Sequence, residues 1–309
     1  MNTTMTIAEE RLRREPRRIK ESRVDFVFLI AIYILLGVAV IAVVAPLLHI
    51  LSSSFSSPEA VSSGQVFLSP VDFSLAGYQA VLSNPQILTG YGNSLFYTVA
   101  GTVISTGLTI AIAYPLSRKG FMGRNVIMVL VMFTMLFSGG LIPTYLVVQE
   151  LGMLNTRWSL LIPNAIAVWQ VIIARTYFRS AIPDELTEAA ELDGCGDLRF
   201  LWSVVLPLSK PMIAVVALMY AIAQWNSYFD ALIYLKDADL YPLQLVLRNI
   251  LILNTQATIA DPALQLERQR LADLLKYSLI VVASIPVLLI YPFVARHFTK
   301  GVLVGAIKG

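Results

Sequence analysis

Apolar residues along this chain come in blocks of about twenty separated by polar connections, the spacing of helices that cross about 30 Å of hydrocarbon at 1.5 Å per residue. The first block runs from Phe26 to about Leu48, and others run from Asn93 to Leu116, Asn125 to Val148, Trp158 to Phe178, Leu208 to Tyr228 and Tyr277 to Val294. The pattern predicts an all-α membrane protein with six transmembrane helices. Two connections are long, Leu51 to Gly92 and Ile233 to Lys276. The second holds LYPLQLVLRNILIL, which Arg248 and Asn249 interrupt. It reads as a segment that packs on a membrane surface or a partner rather than as a seventh span.

Composition supports the bilayer reading. Of 309 residues, 57% are hydrophobic and 14% charged, with a mean hydropathy of +0.70, outside the range of ordinary soluble domains. Seven Lys or Arg lie between Arg11 and Arg23, ahead of an apolar run too long for a signal-peptide core. The run is therefore expected to be a retained first span. Lys and Arg mark cytoplasmic connections. Seventeen of the 23 fall in the amino-terminal segment, the Arg118–Arg124 loop, the loop holding Arg175, Arg179, Arg199 and Lys210, and the tail with Arg296, Lys300 and Lys308. Both termini and residues 179–200 are thus predicted to be cytoplasmic, with 51–92 and 236–272 outside. The expected organisation is a basic segment over 1–23, one membrane domain over 24–299 and a tail over 300–309. The net charge of +3 is too small to point to nucleic acid, a single cysteine forms no internal disulfide, and His49 and His297 are isolated, so no metal site is expected.

One predicted cytoplasmic stretch, EAAELDGCGDLRFLWSVVLPLSKP from Glu188 to Pro211, breaks the oily pattern. Pro183 suits a first helical position, and Asp184 and Glu185 complement the positive end of the helix dipole. The helix should reach about Asp193, with Gly194 in a left-handed closing position. Leu186, Ala189, Ala190 and Asp193 then share a narrow face that a second surface can approach closely. Asp197 can cap a further helix carrying Leu198, Leu201, Trp202 and Val205, which Pro207 is expected to bend. By physics alone this is either a docking element or a surface loop without a partner.

The residues Glu188, Ala189, Ala190 and Gly194, with Leu206 and Pro207 following, resemble the EAA loop of binding-protein-dependent ABC importer permeases. SGGLIPTYLVVQELGMLNT, QWNSYFDALIYL and the terminal KGVLVGAIKG resemble the carbohydrate branch that contains the maltose permeases, nearest to those for complex oligosaccharides such as aldouronates. The resemblance covers most of the chain after Asn93. It implies a type I importer transmembrane domain in a bacterial inner membrane, supplying half of a translocation pathway. Implied partners are a second homologous permease, two ATPase subunits, an extracytoplasmic solute-binding protein and a sugar or oligosaccharide. It further implies a coupling helix within 183–197, with Glu188 as a polar contact, Ala189 and Ala190 as the packing surface, Asp193 on the same face, and Gly194 and Gly196 at the turn. No G-x-x-x-x-G-K-[ST] loop occurs in the sequence, so ATP and Mg are expected on the separate ATPase and no cofactor on this chain.

Polar residues inside spans are costly and therefore informative. Asn93 and Tyr97 open the second span; Asn164, Trp169 and Gln170 lie in the fourth; Gln224, Trp225, Asn226, Tyr228 and Asp230 close the fifth. Aromatic faces and amides are what sugars require, so Asn164, Trp169, Gln224, Trp225, Asn226 and Tyr228 are candidate path residues. The same side chains serve equally as interfacial anchors or interhelical hydrogen bonds. Gly139, Gly140 and Pro143 weaken the third helix. Competing functions are an ABC permease for a non-sugar solute and an ion-coupled secondary transporter. The latter needs a membrane-embedded ion site, and here Asp25 and Asp230 lie only at span ends. No hydrolase or metalloprotease motif supports an intramembrane enzyme.

Overall fold

The computed structural model describes residues 23–256, 272 and 275–290. The basic segment up to residue 22, the second long connection from residue 257 to 274 apart from 272, and the whole tail with residues 291–299 before it lie outside the described residues. Two compact units are present, 1–49 and 50–309. In the first, helix α1 (Arg23–Ser54) carries apolar side chains exposed on every side, from Phe26 and Tyr33 to Ile41 and Leu47. A helix that is apolar all round faces lipid or other protein.

In the second unit, the end of α1 is buried through Ser52, Ser53 and Ser54. Short helices α2 (Pro58–Ser62) and α3 (Ala76–Ser83) follow. The Ser54 hydroxyl lies 2.8 Å from that of Tyr78, and Ser56 Oγ accepts from Val71 N–H. Helix α4 (Pro85–Ser117) is the axis of the unit. It starts eight residues before the predicted Asn93, because Asn84 Oδ1 accepts from the amides of Gln86 and Ile87 and Pro85 stands where its missing N–H has no intrahelical use.

Two predicted spans are broken. The third consists of α5 (Arg124–Leu136) and α6 (Leu141–Glu150), which meet at 114°. Gly140 at the corner has φ +85°, a conformation open to glycine at little cost. The fourth stops at α7 (Trp158–Leu161) and resumes as α8 (Val168–Ala181). Pro163 within the gap has no N–H to continue the ladder, and Ile162 before it is the last residue to keep helical geometry. The freed Ala167 N–H is taken up by the Tyr220 hydroxyl at 3.1 Å, and that hydroxyl lies 2.7 Å from Thr109 Oγ1. Irregular backbone at membrane depth requires such internal satisfaction.

Helix α9 (Asp184–Leu192) is followed by α10 (Asp197–Leu208) and α11 (Lys210–Trp225). Pro207 does not mark the bend, contrary to expectation. A π-turn over Leu201–Val205 precedes it and keeps the helix going, and the chain turns by 83° at Ser209 instead. The wider turn sends Leu206 N–H back to the Leu201 carbonyl, immediately before the proline that has no N–H to donate. Helices α12 (Phe229–Tyr234), α13 (Leu243–Gln256) and α14 (Leu275–Ile290) complete the described elements. No strand occurs among the described residues. Two helices, α1 and α4, are long and apolar enough to cross a membrane unbroken, and the number rises to four when each bent pair counts as one span.

Candidate functional site

Helix α9 is closed at its end by a Schellman motif. Gly194 takes φ +69°, its N–H bonds the Glu191 carbonyl at 3.0 Å, and the Cys195 N–H bonds that of Ala190 at 2.8 Å. The same turn draws Ala190 and Cys195 onto a core of Tyr114, Phe178, Ile182 and Phe200. No residue of α9 itself is fully buried. Glu188 and Ala189 are exposed, as are Asp193, Gly194 and Gly196, so five of the six expected coupling residues lie on an open surface and Ala190 is half-buried beneath them. Leu192 is 89% exposed, an apolar side chain without cover at the helix end.

The start of α9 is fixed from the α4–α5 loop. Lys119 pairs with Asp184, and its hydrogen bond holds the Asp184 carboxyl below the ordinary carboxylate range. Next to it, the Arg118 guanidinium stands 5.6 Å from the Phe200 ring and 5.9 Å from that of Tyr114. Arg175 Nε donates to the Leu116 carbonyl at 2.9 Å, satisfying an acceptor in the last turn of α4. Basic side chains of the α4–α5 loop thus seat the start of α9 and the Phe200 end of the loop, while the outer face of α9 stays exposed.

The six candidate path residues do not act alike. Trp225 is only 3% exposed, with its indole N–H donating to the Ala283 carbonyl at 3.1 Å and its ring edge-on to Tyr91. It ties α11 to α14, so in this structure its ring and N–H are engaged by protein. Gln224 is folded against Gly101 so closely that a Cβ there would lie 2.8 Å from its amide carbon. Asn226 returns its amide to the Ile222 carbonyl at 2.8 Å. Asn164, in the α7–α8 gap, donates to Asp230 Oδ2 of α12 at 2.8 Å, tying two helix interruptions together. Trp169 and Tyr228 are exposed, and Gln170, six residues from exposed Asn164, is half-buried.

No family model matches the chain. It is 42% identical over 277 residues to protein LplC of Bacillus subtilis, covering 88% of this chain and 92% of that one. It is 43% identical over 266 residues to the polygalacturonan/rhamnogalacturonan transport system permease protein YtcP of the same species, covering 86% and 93%. Among solved structures it is similar to a bacterial ABC transporter involved in the import of the acidic polysaccharide alginate, with a TM-score of 0.84 and 37% identity over 91% of this chain and 99% of that one. The chain belongs to the carbohydrate-type ABC transporter permeases.

At the end of the permease opposite α9, the structure reveals a clamp that sequence reading missed. Asn155, at φ +57°, accepts from the amides of both Lys236 and Asp237 through Oδ1, each at 2.9 Å, and gives its own N–H to the Tyr234 carbonyl. Asn93 donates to the Asp239 and Tyr241 carbonyls, Tyr97 to that of Leu240, and Ser94 Oγ accepts from Leu243 N–H. Arg157 donates to Asn93 Oδ1 at 3.3 Å with its guanidinium 4.6 Å from the Phe96 ring. Asn93 and Tyr97 therefore bind backbone. Helix α13 is seated by the same contacts, and close to Gly90 of α4, where a Cβ would reach Val246 at 3.0 Å. The readable signal was the Asn in GMLNT, since asparagine tolerates left-handed geometry better than most residues.

Proposed function

We propose that this permease is half of the translocation pathway of an ATP-driven importer for oligosaccharides, and that α9 is the element through which a separate ATPase drives it. The carrying observation is the exposed face Glu188–Gly194, closed by its own helix-end motif and supported only from behind, in a chain of this family. Glu188 provides the polar contact and Ala189 the close approach. ATP and Mg belong to two partner ATPase subunits, and catalysis of hydrolysis lies there rather than on this chain. A homologous permease supplies the other half, and an extracytoplasmic binding protein delivers the sugar.

In this reading α1, α4, the α5–α6 pair, the α7–α8 pair, α11 and α14 count as spans, giving six across a bacterial inner membrane, with both termini and α9 cytoplasmic and the clamp outside. Asn164, Trp169, Gln224, Asn226 and Tyr228 remain the path-side candidates, while Trp225 supports them from behind. The relatives named for polygalacturonan, rhamnogalacturonan and alginate favour oligosaccharides rich in uronic acids. The test uses the reconstituted transporter with its binding protein, measuring ATPase stimulation by oligogalacturonates, alginate oligosaccharides and neutral maltooligosaccharides. Stimulation by the acidic sugars is expected. Stimulation by neutral sugars alone overturns the acidic reading, and no response to any saccharide overturns the sugar reading.

A further inference from the structure

Helix α10 has apolar surface that neither the fold nor the coupling face uses. Phe200 and Val205 are buried in the core below α9, with Leu201 and Val204 packed beside them. Leu198 and Trp202, four residues apart and so on one side of the helix, are 75% and 70% exposed. Arg199 and Ser203, displaced by one position, are exposed as well and form a polar strip beside the apolar one. A helix packed on one side, apolar on a second and polar on a third fits a boundary between protein, hydrocarbon and water.

The 83° turn at Ser209 says which boundary. Helix α11, 16 residues and about 24 Å long, is apolar and lies among the spans in the reading above, with Lys210 exposed at its start. If α11 runs across the bilayer, α10 runs along its surface at the depth of Lys210. Tryptophan favours that depth because its ring is apolar and its N–H polar. Arg199 and Lys210, exposed along α10 and at the turn, suit anionic headgroups.

We propose that α10 is an interfacial helix, seated in the headgroup region of the cytoplasmic leaflet through Leu198 and Trp202, so that the lever joining α9 to α11 rests on lipid. The inference depends on α11 being a span. Trp202 is one of four tryptophans, so the difference between the native transporter and its Trp202→Phe variant isolates its fluorescence. Both are reconstituted as complete complexes in phosphatidylcholine–phosphatidylglycerol vesicles whose lipids carry bromine either near the carbonyl or near the methyl end of the chains.

The Trp202 component should lose most of its intensity to shallow bromine and little to deep bromine, and keep this behaviour with the ATPase subunits bound. Absence of quenching by either lipid overturns the proposal, and quenching that appears only when the ATPase subunits are stripped off assigns Leu198 and Trp202 to the ATPase surface instead. In a Cys195→Ser background, Lys236→Cys should react with an impermeant reagent from outside and Lys210→Cys should not. Reaction of both from outside removes the span and the proposal together, whereas correct sidedness with unquenched Trp202 removes the proposal alone.

Discussion

The two ends of the permease are held together by opposite means. At the clamp, side chains from α4 and from the α6–α7 turn reach across the sequence to the backbone of 234–243, where six peptide N–H and C=O groups are claimed by an asparagine, a tyrosine or a serine. At the other end, α9 closes on itself: its last carbonyls are satisfied by the next amides in the chain, and one ion pair and two small side chains tie it down. Long-range ties make a platform that changes little when loaded. Local closure makes a unit that keeps its shape while something else grips it.

Removing a tie should therefore damage the first end far more than the second. The largest effect is expected for Trp225→Ala, which deletes a buried indole joining α11 to α14 and should cost about 3–5 kcal/mol. It should be seen as lost recovery of the assembled complex, and a variant that assembles and melts normally would break the platform picture. Asn155→Ala removes the shared acceptor of two amides and should cost about 1–3 kcal/mol. Here the readout is earlier thermal unfolding together with proteolytic nicking between residues 236 and 239, and unchanged protection would make the clamp decorative.

Substitutions at the α9 end should leave the bundle standing and act on docking. Gly194→Val forces a β-branched residue into φ +69°, and with no neighbour near enough to clash the cost, about 1–3 kcal/mol, is purely backbone strain. ATPase recovered with the purified permease should fall, while Gly194→Asn, which tolerates this geometry better, should lose less. Equal losses would point to the mere presence of a side chain at position 194 rather than to its φ.

The smallest effect belongs to the Lys119–Asp184 pair, which is exposed on both sides. Because Lys119 depresses the Asp184 pKa, the pair's contribution is complete above the ordinary carboxylate range and fades as pH falls through that lowered value. Lys119→Gln should therefore lower ATPase recovery slightly at neutral pH and match the native permease once Asp184 is protonated, and a loss that persists unchanged at that low pH would contradict the assignment.

The same contrast explains what the sequence disclosed. The α9 end was largely legible because Pro183 and Gly194 act on their immediate neighbours: the helix runs from Asp184 to Leu192, one residue inside the expected limits at either end, and Gly194 adopts the left-handed geometry, while Asp197 begins α10 without capping it, a place Gly196 takes. The broken spans were not. Hydropathy registers that 125–148 and 158–178 are apolar, but it does not register direction, and a break at Pro163 is tolerable only because Tyr220 stands 53 residues away with a hydroxyl for Ala167. The contacts of Trp225 were hidden for a related reason. Its residue type fits sugar binding, and only the fold brings Ala283 and Tyr91 against it.

That hydroxyl also orders events during biogenesis. Membrane chains are delivered to the bilayer from the amino-terminal side, so α8 emerges before α11. Until Tyr220 arrives beside Thr109, the Ala167 amide has no partner in the finished fold, and an unsatisfied peptide group in hydrocarbon costs several kcal/mol. The first half of the permease consequently cannot settle on its own: it must wait in wetter surroundings, or under a chaperoning neighbour, for a residue that has yet to be made. A chain truncated before Tyr220 should be degraded rapidly even though α4 to α8 are complete.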